Sequence, residues 1–240
     1  WKTNGRRTHW DGCGSHHAGN QVWLIFFFVV LFYSFNFPHW EIETPHPGFL
    51  LGQDTCYIGY IKNVGKIYQQ TAIDTNSNVG FAKVYPDKTA LTAADFLNNK
   101  VLLFFDFENI ALLRILTDRG TDYCGRIKTH PYQLFSYLNG VEHSRTKVRH
   151  RQTNGSTERL NQIVQNEFYK VAFRKKIYKT IEEIQIDLDT FMDNYNTERT
   201  NQGKHCQGRT PSRHSKLEGL FINNMFLKTQ RNKKQPLKIV

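Results

Sequence analysis

Cysteine is scarce in this 240-residue chain, with four in all, at positions 13, 56, 124 and 206. No two form a Cys-x-x-Cys pair, so neither a zinc module nor a disulfide framework is indicated. The cluster of His9, Cys13, His16 and His17 matches no standard ligand spacing. Free thiols of this kind fit a reducing, cytoplasmic setting. Methionine is scarcer still: there are two, Met192 and Met225, and the chain opens on Trp1. Long apolar runs are nearly absent. The one exception, VWLIFFFVVLFYSFNF from Val22 to Phe37, is uncharged but shorter than the roughly 20 residues of a spanning helix. Arg6 and Arg7 on its N-terminal side would suit an anchor, yet its length argues against a membrane partner. Residues 1–46 are expected to be an N-terminal segment apart from the rest, of which residues 1–40 are unrelated sequence adding nothing to the fold.

Acids are also in short supply. The chain has 32 Lys+Arg against 21 Asp+Glu, a net charge of +11. The excess is local. Residues 141–180 hold 10 basic and 3 acidic side chains, and 199–240 hold 10 and 1, whereas 181–198 hold 6 acids and no base. Two basic blocks in the second half favour a polyanionic partner, most simply nucleic acid. A solvated basic surface is the plain alternative.

Residues 49–61, 66–74 and 79–85 are rich in β-formers and are separated by KNVG and TNSN turns. They predict an antiparallel meander. From Thr92 the period changes to 3.6, with Thr92 and Asp95 placed as a capping box and Phe96, Leu97, Val101, Phe104 and Phe105 as the apolar stripe. ALLRILT is a short strand, Pro131 opens a helix, and VEHSRT is a fifth strand. A polar loop, KVRHRQTNGS, leads to a helix starting near Ser156 or Thr157, with Glu158, Asn161 and Gln165 off its apolar stripe. Thr180 and Glu183 cap another helix. The order β-β-β-α-β-α-β-α-α predicts an α/β mixed sheet with helices on its faces.

Against this basic background three acids stand out. Asp54 lies inside the first strand, Asp118 ends the fourth, and Glu158 lies in the first turn of the helix after the basic loop. If strands one and four are neighbours, Asp54 and Asp118 project into one cleft. Convergent carboxylates bind hard divalent cations, Mg²⁺ or Mn²⁺. Two such ions about 4 Å apart activate an attacking oxygen and stabilise a leaving one. Each acid also has an ordinary reading: Asp54 paired with a buried cation, Asp118 capping the DRGT turn, Glu158 favouring a helix N-terminus. Asp74 competes for the first position but sits at a turn-rich strand end, and Asp122 is a further candidate.

The motifs ILTDRGTDYCG, RTKVRHRQTNGSTERLNQIVQNEF and YNTERTNQGKHCQGRTP, with GQDTCYIG and YQQTAIDTNSNVGFAKVY before them, resemble the catalytic core of bacterial insertion-sequence transposases, the group with a retroviral-integrase-like core. The resemblance covers about residues 47 to 212. It implies a ribonuclease H-like five-stranded mixed sheet flanked by helices, with residues 47–198 as the core and 199–240 as a basic C-terminal tail. It also implies Asp54, Asp118 and Glu158 as catalytic, metal-binding acids holding two Mg²⁺ or Mn²⁺ ions. The implied activity is metal-dependent cleavage and strand transfer of DNA, acting as a homo-oligomer on element ends and target in the bacterial nucleoid. Lys147, Arg149, Arg151, Asn154, Arg159, Arg174, Lys175 and Lys176 are the expected DNA contacts. The family's N-terminal helix-turn-helix has no counterpart here, and Leu160 stands where an aromatic is usual. The alternative is therefore an inactive remnant that retains nucleic-acid binding.

Overall fold

A computed structural model describes residues 44–62, 64–126, 129–146 and 155–220. The apolar run at 22–37 and the loop residues Lys147, Arg149, Arg151 and Asn154 lie outside the described residues.

The predicted meander is present as β1 (Leu51–Ile61), β2 (Gly65–Asp74) and β3 (Gly80–Tyr85). Two short strands follow, β4 (Arg114–Thr117) and β5 (Glu142–Arg145). The five form one sheet in the order β3-β2-β1-β4-β5. The meander is antiparallel, while β4 runs parallel to both β1 and β5. The parallel pairs require crossovers, and helices supply them. Helix α1 spans Ala90–Phe96, a π-helical stretch Leu97–Leu102 and Leu103–Phe107. Helix α2 is Pro131–Leu138, with Pro131 in its first turn. Helix α3 spans Gly155–Ile163, a π-helical stretch Val164–Tyr169 and Lys170–Lys175. Helix α4 is Ile181–Thr197, and a last helix, α5, covers 211–220.

The sheet is buried on both faces, as a mixed sheet with crossovers must be. On one side Leu51, Phe81 and Ile115 pack with Phe96, Val101 and Phe105 of α1 and Tyr132 of α2. On the other, Ile67, Ile73 and Val84 pack with Leu160 and Val164 of α3 and Ile184, Leu188 and Met192 of α4. At Gly80 side chains of both α3 and α4 pack directly on the sheet. A Cβ there would sit 2.8 Å from Leu160 and 3.1 Å from Met192. The Asn196 amide clasps Gly80, accepting from its N–H and donating to its carbonyl, both at 2.9 Å. Gln185 accepts from Val84 N at 2.8 Å.

Two expectations are corrected. The capping box of α1 lies one turn earlier, between Thr89 and Thr92. Asp95 is drawn away by Lys83 Nζ at 2.7 Å and the Tyr85 hydroxyl at 2.6 Å, both on β3. The core also does not stop at 198. Cys206, His214 and Ser215 are buried, and Cys206 donates to Ser77 O at 3.2 Å, so residues through 220 pack with the sheet. Their polar composition hides this, because the segment is held by hydrogen bonds rather than by an apolar stripe. Among the described residues no helix is long and apolar enough to cross a membrane.

Candidate active site

β1 is the central strand, and its side chains alternate between the faces. Gln53 and Thr55 point towards α1 and α2, and Asp54 and Cys56 towards α3. The parallel register sets Leu51 beside Ile115 and Gly52 beside Leu116. Continued by two residues, it brings Asp118, just past the end of β4, alongside Asp54. Two acids 64 positions apart in the chain thus meet because strands one and four are neighbours.

The meeting shows in the electrostatics. The Asp54 carboxyl is pushed up to about 6, first by burial and then by the negative charge of Asp118; the Thr55 N–H and the Lys88 ammonium oppose the rise. Each acid is held by a neutral donor. Asn161 Nδ2 donates to Asp54 Oδ2 at 3.0 Å, and Gly120 N donates to Asp118 Oδ1 at 2.8 Å. Glycine at position 120 leaves room for both carboxylates: an added Cβ would force Asp122 Oδ1 to move and would lie 2.9 Å from Asp118 Oδ1.

Asp122 is almost completely buried. It accepts from Thr55 Oγ1 at 2.6 Å, with Lys88 Nζ 3.6 Å from its other oxygen. Thr55 Oγ1 also lies 2.7 Å from the Tyr123 hydroxyl, which donates to Gln70. Gln53 accepts from Tyr132. This buried polar network fixes the turn that carries Asp118. Cys56, 3.7 Å from Asn161, has its thiol pushed up to about 12 by burial and by Asp54, so it is no nucleophile at neutral pH.

Glu158 stands in the first turn of α3 on the face that Asn161 shares, three residues on. Its carboxylate is exposed. The charges acting on Asp54 come from Asp118, Asp122 and Lys88. Among the described residues, no three His, Cys, Asp or Glu side chains are grouped to hold an ion. The structure therefore brings Asp54 and Asp118 together and leaves Glu158 outside the pair. Asp74 is settled as a turn residue: buried at the end of β2, it accepts from Gly48 N, Ser77 N and Ser77 Oγ at 2.9, 2.7 and 2.6 Å.

The donor set suits a hard divalent ion. It consists of carboxylate oxygens, and one of the two acids is held well above its ordinary range by burial and its neighbour's charge, a strain that a cation relieves. Of the expected phosphate contacts, Arg174 and Lys175 are exposed in the last turn of α3. Lys176 pairs with Asp187 at 2.8 Å and lines a groove with Ile58–Ile61, beyond Asp54 along β1. Arg159 lines a cavity on another side of α3.

Residues that sequence reading passes over are Asn161, Thr55, Lys88 and Gly120. Asn161 leaves a signal, being polar and off the stripe of a buried helix. Thr55 and Lys88 leave none, since their roles depend on contacts with residues 34 to 68 positions away; Gly120 stands within the DRGT turn beside Asp118.

Comparison with known proteins bears on the fold. Residues 139–211 match the family described as Integrase core domain. That match includes Glu158 and Asn161 but neither Asp54 nor Asp118. No curated protein sequence is similar enough to count as a match. Among solved structures, the human T-cell lymphotropic virus (HTLV-2) integrase catalytic core domain in complex with magnesium, in its dimeric form, is 17% identical. It aligns with a TM-score of 0.54 over 72% of this chain and 99% of that one. Its trimeric form gives 16% identity, a TM-score of 0.53 and the same coverage. A chain from the simian T-cell lymphotropic virus intasome in complex with PP2A regulatory subunit B56 gamma is 18% identical, with a TM-score of 0.56 over 72% of this chain. The present chain spans 56% of that longer one. The fold is thus the ribonuclease H-like fold of integrase catalytic cores.

Proposed function

We propose that this chain is the catalytic core of a transposase or integrase, a polynucleotidyl transferase that uses Mg²⁺ or Mn²⁺ to cut and join DNA. The observation that carries the reading is the Asp54–Asp118 pair, one acid inside β1 and the other just past the end of the parallel β4, with Asp54 shifted to about 6. Asp54 and Asp118 would hold two ions, with Glu158 as the third ligand. The ions, when bound, would stabilise charge on the scissile phosphate and lower the pKa of the attacking oxygen. Asn161 and the Gly120 N–H orient the two acids, and Thr55 holds the turn between them. Water would attack the phosphorus and lose a proton while the P–O3′ bond breaks and the leaving 3′-oxygen is protonated. The freed 3′-hydroxyl would then attack a second phosphodiester, losing its proton as that phosphorus releases its own 3′-oxygen, which is protonated in turn. The basic loop at Lys147, Arg149, Arg151 and Asn154, with Arg159, Arg174 and Lys175, would bind backbone phosphates of element ends and target. A bacterial insertion-sequence origin, action at the nucleoid and assembly as a homo-oligomer on DNA belong to the same reading.

The position of Glu158 outside the acid pair favours a second reading, an inactive core that binds DNA only. Nicking of supercoiled plasmid with Mn²⁺ separates the two. The enzyme reading expects nicking by the wild-type chain and none by Asp118→Asn, with DNA retention in EDTA equal for both. Retention without nicking by either chain would establish the inactive core.

A further inference from the structure

On a side of α3 away from Asp54 lies a cavity of about 490 Å³ that the acid site does not use. Its walls are the N-terminal half of α3, the end of α4 and the segment 199–203. Asn161 faces Asp54, whereas Ser156, Arg159 and Ile163 line the cavity. At 100° per residue these positions lie roughly half a turn around the helix from Asn161. Two guanidinium groups, Arg159 and Arg199, border the space with Asn78, Ser156, Asn201 and Gln202, and no acid lines it among the described residues. Arg199 pairs with Glu167 at 2.6 Å and lies over the Tyr195 ring. Arg159 has no ion-pair partner among the described residues. Segment 199–203 is firmly shaped: Asn201 N donates to Arg209 O, Gly208 N donates to Asn201 O, and Gly203 N donates to the Asn201 side chain.

We infer that this cavity is a second nucleic-acid subsite, taking the sugar-phosphate backbone of a strand that is not being cut. The inference rests on the proposed function, and it gives the YNTERTNQG segment a role that the acid site does not. A guanidinium uncompensated among the described residues, Arg159, beside a second one held by Glu167, with no described acid lining the space itself, favours an anion. Amide and hydroxyl groups between them suit phosphate and sugar oxygens. The volume suits a nucleotide unit, and the rim is continuous with the helix that carries Glu158. One helix would then present its two sides to two segments of DNA, which is what joining one strand to another demands.

The test is binding of fluorescein-labelled duplex and single-stranded oligonucleotides by the full chain in EDTA across a salt series, so that catalysis plays no part. Arg159→Gln should weaken binding about tenfold and lower the salt slope by about 0.9 for duplex or 0.7 for single strand. Arg159→Lys should restore most of both. Ser156→Asp places an acid where a helix N-terminus tolerates it, so it folds, and it should weaken binding as Arg159→Gln does. If the wild-type chain binds DNA and Arg159→Gln and Ser156→Asp bind equally well with the same slope, the cavity is not a subsite and Arg159 is no phosphate contact, while the acid-site reading stands on its nicking test. If the wild-type chain binds no DNA, both readings fall.

Discussion

Replacing Asp54 by Asn removes the most perturbed acid of the site while keeping its shape. The Asn161 amide can still donate to the remaining carbonyl oxygen of residue 54. The magnitude follows from the shift. A carboxyl that rises from 3.8 to about 6 on folding binds its proton more tightly in the folded state. Its contribution is fully present below 3.8 and is lost as pH rises through 6. At pH 7.5 the ionised group therefore opposes folding by about 3 kcal/mol at most, at 1.36 kcal/mol per unit. Without metal, Asp54→Asn should be more stable than wild type by up to that amount at pH 7.5 and by little at pH 3.5. For a core of this size each kcal/mol raises the melting temperature by roughly 2–4 °C. Urea denaturation in EDTA at the two pH values measures it. Mg²⁺ should stabilise wild type and have no such effect on the variant. A gain that is the same at both pH values would refute the reasoning, as would a loss of stability at pH 7.5. The first would mean better packing, the second that the carboxylate is stabilised by something other than a bound cation.

Gly120→Ala should cost about 1–3 kcal/mol of stability in urea and abolish Mn²⁺-dependent nicking, because the methyl displaces Asp122 and Asp118 together. His143 bonds to Thr117 at 2.8 Å, and burial, then Arg145, lowers its imidazole to about 4. Its neutral form supports the fold above 6.5 and that support is lost as pH falls from 6.5 towards 4, so His143→Gln should flatten the urea-midpoint profile across that window. Replacing Lys147, Arg149 and Arg151 together with Ala should lower the salt slope of duplex binding by about 0.9 for each phosphate no longer neutralised; an unchanged slope would show that the loop faces solvent.

Much of this is legible from local pattern. Strands one to three, the parallel step to β4 and the pairing of Asp54 with Asp118 follow from alternating β-formers, turn residues and the order of elements. The α1 cap is easily misplaced because Thr89 and Thr92 offer the same chemistry as Thr92 and Asp95 one turn on. Only the β3 partners of Asp95 decide between them. Segment 199–220 has the composition of a tail because its order comes from hydrogen bonds to Asn76, Ser77 and Asn78, 128 and more positions away. Asn161 is visible as a polar residue without an assigned role. Nothing in Lys88, taken alone, marks it as a neighbour of the acids.

The clasp at Gly80 has a consequence for how this chain behaves in a crowded solution. β3 is the outermost strand on its side of the sheet, and an outer strand offers unpaired backbone groups to any other strand it meets. Here Asn196 holds the N–H and carbonyl of Gly80, and Gln185 holds the N–H of Val84. Two amide side chains of α4 therefore stand where a sixth strand would dock. Strand addition along this edge would have to break these three bonds and displace α4, which disfavours edge-to-edge polymerisation of the sheet.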